Sequence, residues 1–235
     1  MRLDRRCAIR WGFLRAPSVF CIQMSIYAGS KADGGSRAGR MPKKAGADLT
    51  DEEKILVYAL GALGNIPLRT KVMIQKLLFL FSNVFTDFKG LLRYEPHLLG
   101  PYSETVENTL QGLIQLGLIS NGSSGYRLTP DGQELFRSLT PKEEISRVIL
   151  DFKEFLHDLS EDEILAFIYS IYPEYTSESA RWDKLKPRRV ELAISLIGRG
   201  KVSFSRGAEI AGMNVGDFER TLRERRVRWR AQCPI

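Results

Sequence analysis

Histidine and cysteine are scarce in this chain, and their positions exclude several kinds of site. The 235 residues include only 2 histidines, His97 and His157, which lie far apart in the sequence. We expect ordinary structural roles for both, because a metal site or an acid–base pair needs partners that the sequence does not identify. The 3 cysteines, Cys7, Cys21 and Cys233, are odd in number and widely scattered. This pattern argues against a disulfide framework or a zinc site and indicates a reducing, cytoplasmic compartment.

Other features that define common protein classes are also missing. The sequence has no uninterrupted apolar run of about 18 residues, so we expect no membrane-spanning helix. It has no glycine-rich phosphate loop and no nucleophile beside a base, and the acids Glu161–Glu163 are placed as helix-capping residues. These absences predict a binding protein without a cofactor or a metal, and not an enzyme.

Charge divides the chain into three parts. Residues 1–48 hold 10 basic and 3 acidic residues, a net charge of +7. Residues 49–186 hold 14 basic and 20 acidic residues, net −6, and residues 187–235 hold 11 basic and 5 acidic residues, net +6. Phosphate groups respond to local positive charge more than to the average of the chain. The basic C-terminal part is therefore the predicted nucleic-acid face.

The basic leader, residues 1–48, is expected to be disordered, because its second half is rich in glycine and lysine. Arg15 and Pro17 interrupt the apolar stretch that a secretory signal requires. We hypothesise that translation begins at Met41 or Met24 and that the leader is not part of the native protein. The alternative is a basic arm that contacts the DNA backbone.

Residues 187–230 have the pattern of a lead helix followed by a helix-turn-helix. Val190, Ile194 and Ile197 recur at helical spacing and predict one apolar face for the lead helix. Two glycines directly after this face predict its C-terminus. The lead helix is therefore expected to end before residue 201.

The second predicted helix is short and ends in a turn. Phe204, Ala208 and Ala211 repeat the helical spacing, and Gly212 supplies a left-handed residue at low cost. Ala208 and Gly212 are also the small residues at which we expect two helix backbones to cross closely.

The third helix is the predicted DNA-reading helix. Asn214 is its expected N-cap, with Asp217 in a box-like arrangement, while Phe218 and Leu222 form its inward face. Its outer face is rich in arginine, which binds guanine in a bidentate manner or neutralises phosphate. The alternative is a helical subdomain whose arginines form only a solvated surface. The predicted DNA-binding residues are Arg206, Asn214, Arg220, Arg223 and Arg226.

The segment VELAISLIGRGKVSFSRGAEIAGMNVGDFERTLRERRV resembles a family of small, poorly characterised, antitoxin-like prokaryotic proteins. The AEIAGM core and the LRERRV tail carry the resemblance. It implies a helix-turn-helix and a role beside a toxin or at an operator. Arg226 departs from the family pattern, which has a glycine near this end.

The acidic part begins with a predicted winged-helix-like domain, residues 49–140. Thr50 opens a first helix with a capping-box pattern, and Pro67–Phe85 contains a second helix that is apolar on most faces. A third helix is expected over Pro101–Leu116, because proline fits a first helical turn. Two short strands with a glycine-rich turn and a helix capped by Thr129 follow.

Two stretches of this domain resemble known prokaryotic proteins. GLIS…GYRLTPDGQELF resembles the wing of winged-helix regulators, and KLLFLF…LLGPYSETVENTLQGLIQLGLI resembles winged-helix-like domains that include antitoxin-associated ones. The resemblance implies the fold and says little about the function.

The third helix of this domain is not predicted to read DNA. Glu104 and Glu107 lie on its first turns, and the helix has no lysine or arginine. Exposed carboxylates facing phosphates would each cost on the order of 1 kcal/mol. We therefore predict that the domain binds a partner protein or dimerises through Tyr102, Glu104 and Glu107, with DNA binding as the alternative.

Residues 141–186 are predicted to form a helical arm and a linker. An amphipathic helix is expected over Pro141–Leu159, and a second helix follows a capping residue at Ser160. The polar stretch 174–186 has the composition of a linker, with Trp182 as an anchor. The arm is expected to pack on the winged-helix-like domain, and a dimer seam is the alternative.

Together these patterns predict a mainly α-helical protein with a winged-helix-like domain, a small β-hairpin wing, a helical arm and a C-terminal helix-turn-helix. The leading hypothesis is a DNA-binding transcriptional regulator, in one version the antitoxin of a toxin–antitoxin pair. The helix-turn-helix would contact DNA, and the acidic domain would bind a partner such as a toxin or a second copy. The alternative is a protein–protein adaptor whose arginines pair with an acidic partner or with its own acidic domain.

Overall fold

The computed structural model describes residues 49–227, which are mainly α-helical with one small antiparallel sheet, as the sequence predicts. The acidic part contains α1 (Asp51–Asn65), α2 (Lys71–Val84), α3 (Thr86–Leu92), α4 (Glu104–Gln115), β1 (Ile119–Gly122), β2 (Gly125–Leu128), α5 (Pro130–Ser138), α6 (Glu143–Leu156), α7 (Glu161–Ile171) and α8 (Trp182–Leu185). The C-terminal part contains α9 (Arg189–Gly198), α10 (Phe204–Ala211) and α11 (Val215–Glu224).

Several predictions concern residues on either side of the described range. They are the leader with its proposed starts at Met24 and Met41, the three cysteines, and the last residues of the predicted helix-turn-helix domain, 228–230. Within residues 49–227, no helix combines the length and the apolar character that crossing a membrane requires.

Helix α1 begins as predicted, and a buried lysine of another helix binds the carbonyl groups near its C-terminal end. The Thr50 hydroxyl accepts a hydrogen bond from the Glu53 backbone, and the Glu53 carboxylate accepts one from the Thr50 backbone. The helical dihedral angles stop at Ala62. There the fully buried Lys153 of α6 donates from Nζ to the carbonyl oxygens of Leu60 and, at 2.8 Å, Ala62. The lysine thus supplies donors to carbonyls that lack a partner within the helix.

Helix α2 is buried on most faces, as predicted, and Phe79 is a hub of ring contacts on it. The rings of Tyr94, Tyr172 and Tyr175 meet Phe79 edge-on, with centroids 5.0 to 5.3 Å away. These tyrosines come from the segment after α3 and from the end of α7, so the hub joins three parts of the chain. Edge-to-face pairs of this kind add stability beyond their buried area.

Helix α4 begins later than predicted, and the start at Pro101 is wrong. Ser103 is the N-cap, and its hydroxyl accepts from the Val106 backbone at 3.1 Å. Tyr102 instead pairs in an extended conformation with Glu95. A serine hydroxyl can satisfy a free amide of the first turn, which proline cannot do, and this decides where the helix starts. Helix α3, directly after α2, is an element that the sequence analysis did not predict.

The β-hairpin is tight and is extended by one further pair. Strands β1 and β2 pair from Ile119 with Leu128 to Gly122 with Gly125. Leu68, just before α2, pairs with Tyr126 through two backbone hydrogen bonds of 3.0 and 2.8 Å. The order of helices, bridge and hairpin is that of a winged helix. Helix α4 packs on α1, and its buried residues are Val106, Leu110 and Leu113.

The predicted arm, α6 and α7, packs on the first helices. Helix α6 lies against α1 and α2, and α7 contacts α2, α9 and α10. The stretch 174–186, expected as a linker, includes the end of a 3-10 turn at Pro173–Thr176 and the helix α8, and it buries Tyr175 and Leu185. Because the stretch is mostly polar, its composition did not indicate that these two residues pack into the core. Trp182 meets the Tyr169 ring edge-on at 5.6 Å, consistent with an anchor.

Candidate nucleic-acid interface

Helices α9, α10 and α11 follow the predicted lead helix, helix, turn and helix order. Gly212 adopts a left-handed backbone with φ of 72° at the end of α10. Asn214 caps α11, and its Oδ1 accepts from the Asp217 backbone at 2.8 Å. Phe218 and Leu222 are fully buried, as expected for the inward face. The predicted boundaries and caps of this part are therefore confirmed.

The predicted apolar face of α9 packs on the core, but it is the edge of a wider apolar arc. The buried residues are Leu192, Ala193 and Leu196, whereas Val190, Ile194 and Ile197 are only half-buried. Helix α9 is covered by both α7 and α10, so its apolar arc is wide. Spacing alone selected one edge of that arc instead of its centre.

The close packing between α9, α10 and α11 occurs at Gly207, and not at Gly212 as predicted. A Cβ atom on Gly207 would lie 2.2 Å from Ile197 Cδ1 and 3.3 Å from Phe218 Cε1. A Cβ atom on Gly212 would instead meet the guanidinium of Arg189, 2.5 Å from Nη1. Gly212 thus serves the turn, and the missing side chain of Gly207 lets three helices approach.

Several cations near the start of the basic part bind the rest of the protein. We call this contact the α7 junction; it joins α9 and its flanking residues to the start of α7 and the residues before it. Arg181 and Arg188 pair with the two carboxylate oxygens of Asp162 at 2.7 and 2.6 Å. Lys201 pairs with the Asp158 carboxylate at 2.7 Å, and Arg199 donates to its backbone carbonyl at 2.8 Å.

Glu163 is the buried centre of the α7 junction. It is 4 % exposed, closes the capping box with Ser160, and accepts a 2.6 Å hydrogen bond from the Ser195 hydroxyl of α9. Burial alone would raise the pKa of Glu163, but these hydrogen bonds and the nearby Arg199 outweigh it and lower the pKa. The carboxylate therefore stays charged at the contact between the two parts. Intramolecular pairing of basic and acidic parts, expected in the adaptor alternative, occurs at this junction.

The predicted DNA contacts Arg220 and Arg223 lie on the surface of α11. Each side chain is 72 % exposed and pairs with a carboxylate on its own helix. Arg220 lies 3.4 Å from Asp217, and Arg223 lies 2.6 Å from Glu219. Exposed pairs of this kind contribute little to stability, so a phosphate or a base can compete for the arginines.

Arg206 and Asn214 are less available than predicted. Arg206 lies on α10, is half-buried and pairs with Glu209. Burial raises the pKa of Tyr172 to about 12, and the positive charge of Arg206 acts in the opposite direction by lowering that pKa. The Asn214 amide is occupied on both atoms, because Nδ2 also donates to the Asp217 carboxylate at 2.6 Å. The structure thus groups Arg220 and Arg223 on one face of α11, whereas Arg206 belongs to α10.

Arg226 is exposed just after α11 and has an unusual backbone conformation. Its φ is 54°, in the left-handed region. Its amide donates to the Arg223 carbonyl at 3.0 Å, and the Val227 amide donates to the Leu222 carbonyl at 3.0 Å. These two bonds form a Schellman motif, in which glycine is the usual left-handed residue. The departure from a family glycine, seen in the sequence, thus falls at a position where glycine is favoured.

Helix α11 begins with two exposed residues that the sequence did not single out. Gly216 shares the outer face of α11 with Arg220 and Arg223, because the three are spaced at i, i+4 and i+7. Val215, the first residue of α11, is 48 % exposed. Their position directly after the cap Asn214 was the available signal, since first turns of such helices lie near base edges.

The predicted partner-binding residues differ in exposure. Tyr102 is half-buried and stacks on His97, with ring centroids 4.7 Å apart. Glu107 Oε1 accepts from Lys71 Nζ at 2.8 Å, and this bond raises the lysine pKa. Glu107 Oε2 is buried and has no hydrogen-bond partner within the described part of the chain. Glu104 is exposed, so it is the carboxylate of this set that is open to solvent.

Among the described residues, no group of histidine, cysteine or acidic side chains is arranged to hold a metal ion. Comparisons of the chain with protein-family models, with curated proteins and with solved structures found no match.

Proposed function

We propose that the protein is a cytoplasmic DNA-binding transcriptional regulator whose helix α11 lies in the major groove. The observation that carries this proposal is the outer face of α11. Gly216, Arg220 and Arg223 share it, opposite the buried Phe218 and Leu222. A helix held by its inner face, with arginines outward and an open first turn, suits major-groove binding.

The charge of this surface favours contact with phosphate. Four arginines are exposed on α11 and directly after it, at 220, 223, 225 and 226, against three acids at 217, 219 and 224. The excess of positive charge is therefore small, and other cations of the basic part are already paired at the α7 junction. We therefore expect few phosphate contacts, each contributing about 0.9 to the salt dependence of binding.

The proposal assigns a protein partner to the acidic part. Residues 49–186 carry a net charge of −6, and Glu104 is exposed at the start of α4. A carboxylate there repels phosphate and attracts a basic surface. In the antitoxin version of the proposal, which the resemblance favours, this partner is the cognate toxin; a second copy of the chain is the other candidate.

The test is a salt titration of DNA binding by fluorescence anisotropy. We expect the double variant Arg220→Ala, Arg223→Ala to bind duplex DNA more weakly and with a salt slope lower by about 1 to 2. Glu219→Gln, which removes the carboxylate paired with Arg223, is expected to bind more tightly. Both changes lie on exposed side chains, so the fold is preserved.

Arg147→Ala is the matched control. Arg147 is 68 % exposed on α6 and pairs at 2.7 Å with Glu143, four residues earlier, much as Arg223 pairs with Glu219. Its removal lowers the net charge by 1, half the change made by the double variant, but should leave DNA binding unchanged. Equal effects of the α6 and α11 variants would contradict the assignment of α11 as the interface.

The adaptor remains a second candidate function because of one observation. Arg188, Arg199 and Lys201 of the basic part bind Asp162 and Asp158 of the acidic part at the α7 junction. An adaptor of this kind keeps its bound partners after nuclease treatment, whereas a complex tethered by DNA loses them. Retention of all partners together with no salt-dependent duplex binding would favour the adaptor.

A further inference from the structure

Val215 is the one large hydrophobic side chain that the described residues of α9 to α11 leave exposed. It is the first residue of α11 and is 48 % exposed. It lies outside the set of side chains packed on the core, which includes Phe218 and Leu222. Valine is also a weak helix former, so neither packing nor helix propensity explains it there.

The neighbours of Val215 leave the first turn of α11 open. Both amide atoms of Asn214 are bound to Asp217, so this side chain is occupied by the cap. A Cβ atom on Gly216 would have Asn214 Oδ1, 3.5 Å away, as its nearest contact. A ligand approaching this turn therefore meets the uncovered Gly216, the apolar Val215 and, beside them, the exposed Asp217 carboxylate.

We propose that Val215 is a specificity-determining residue that contacts the C5-methyl group of a thymine in the major groove. The inference rests on the proposed function, because it requires α11 to bind DNA. In the major groove, thymine is the base that presents a methyl group, and valine has no polar atom with which to read other edges. Arg220, which lies further along the outer side of α11, supplies a donor suited to guanine.

The experiment uses the full-length protein and a binding site selected from randomised duplexes. Each thymine of that site is then replaced in turn by deoxyuridine, which removes only the methyl group. We expect one replacement to weaken binding about fourfold, the loss expected for one methyl group no longer buried. Val215→Ala should bind the thymine and deoxyuridine duplexes with equal affinity, while Val215→Thr, which keeps one methyl, should retain part of the difference.

Leu116→Ala is the matched control, because Leu116 is 54 % exposed and caps the end of α4, away from α11. Its discrimination between thymine and deoxyuridine should equal that of the wild type. The proposal is overturned if no deoxyuridine replacement changes affinity, or if Val215→Ala keeps the full difference. A chain that selects no sequence and binds no duplex would overturn the proposed function itself, which separates the two failures.

Discussion

Arg226 occupies a backbone position that other helices of the protein give to glycine. Helices α4, α9 and α10 end with Gly117, Gly200 and Gly212 in the left-handed region, with the same two closing hydrogen bonds. Arg226 closes α11 in the same way but carries a side chain. The left-handed conformation costs about 1 to 2 kcal/mol for residues other than glycine. A positive charge at this position therefore comes at the expense of stability.

Arg226→Gly is expected to raise the free energy of unfolding by about 0.5 to 1 kcal/mol, since the gain is partly offset in the unfolded chain. Urea titration measures it. The matched opposite change is Gly117→Ala, where φ is 71° and the added Cβ meets nothing within 4 Å. The free energy of unfolding of that variant should fall by a similar amount. A destabilised Arg226→Gly protein would show that the side chain, and not the backbone, dominates at this position.

Two buried lysines predict an unusual dependence of stability on pH. Burial lowers the pKa of Lys153 and of Lys76 to about 7. Both would titrate near 10.5 in the unfolded chain, so between these values the unfolded state binds more protons and stability rises with pH. Each lysine contributes a slope of roughly 1 kcal/mol per pH unit between about pH 7 and pH 9. Below pH 7 both states are protonated and this slope disappears.

Lys153→Met should reduce that slope by about half, because one of the two lysines no longer titrates. Urea unfolding of the wild type and the variant at several pH values measures it. The variant should also be less stable at high pH, because the carbonyls of Leu60 and Ala62 lose their donor. Parallel pH profiles for the two proteins would contradict the assignment.

At the scale of elements, the Glu163 carboxylate at the start of α7 has two roles, because it caps its own helix and also binds α9. Glu163 completes the α7 capping box and accepts from Ser195 of α9. The sequence predicted the capping role from the Ser160–Glu163 spacing. It could not predict the bond to Ser195, because that contact depends on how α9 packs against α7.

A double-mutant cycle isolates this contact. Glu163→Gln and Ser195→Ala should each destabilise the protein, with a coupling energy of about 0.5 to 1.5 kcal/mol. The effect of Glu163→Gln should shrink as pH falls, because a carboxylate with a lowered pKa stabilises the folded state only while it is charged. Additive effects would mean that Glu163 acts only within its own helix.

For the whole molecule, the α7 junction joins the acidic and basic parts within the described residues, so we expect the two parts to unfold together. Leu192, Ala193 and Leu196 are buried at the centre of α9, and Asp162 adds ion pairs at its edge. We expect a single unfolding transition, with α11 amides opening in hydrogen exchange at nearly the same free energy as α1 amides. Asp162→Asn should lower the free energy of opening for the amides of α9 to α11 more than for the amides of α1. Early opening of these helices in the wild type would contradict this expectation.

Much of the fold follows from local sequence signals. Thr50, Ser160 and Asn214 mark helix starts, and glycines mark three helix ends, because capping depends on a few neighbouring residues. The buried arc of α9 and the packing at Gly207 did not follow, since they depend on contacts between helices far apart in sequence. The candidate interface was located by its arginines, whereas Val215 was missed because charge, and not exposure, guided the selection.

The ring cluster around Phe79 gives the protein an intrinsic optical signal. Burial raises the pKa of Tyr94 well above its ordinary value and that of Tyr172 to about 12. The ultraviolet absorbance of tyrosinate from this cluster should therefore rise only in strongly alkaline solution. That rise would report the separation of the segment after α7 from α2, without any added label.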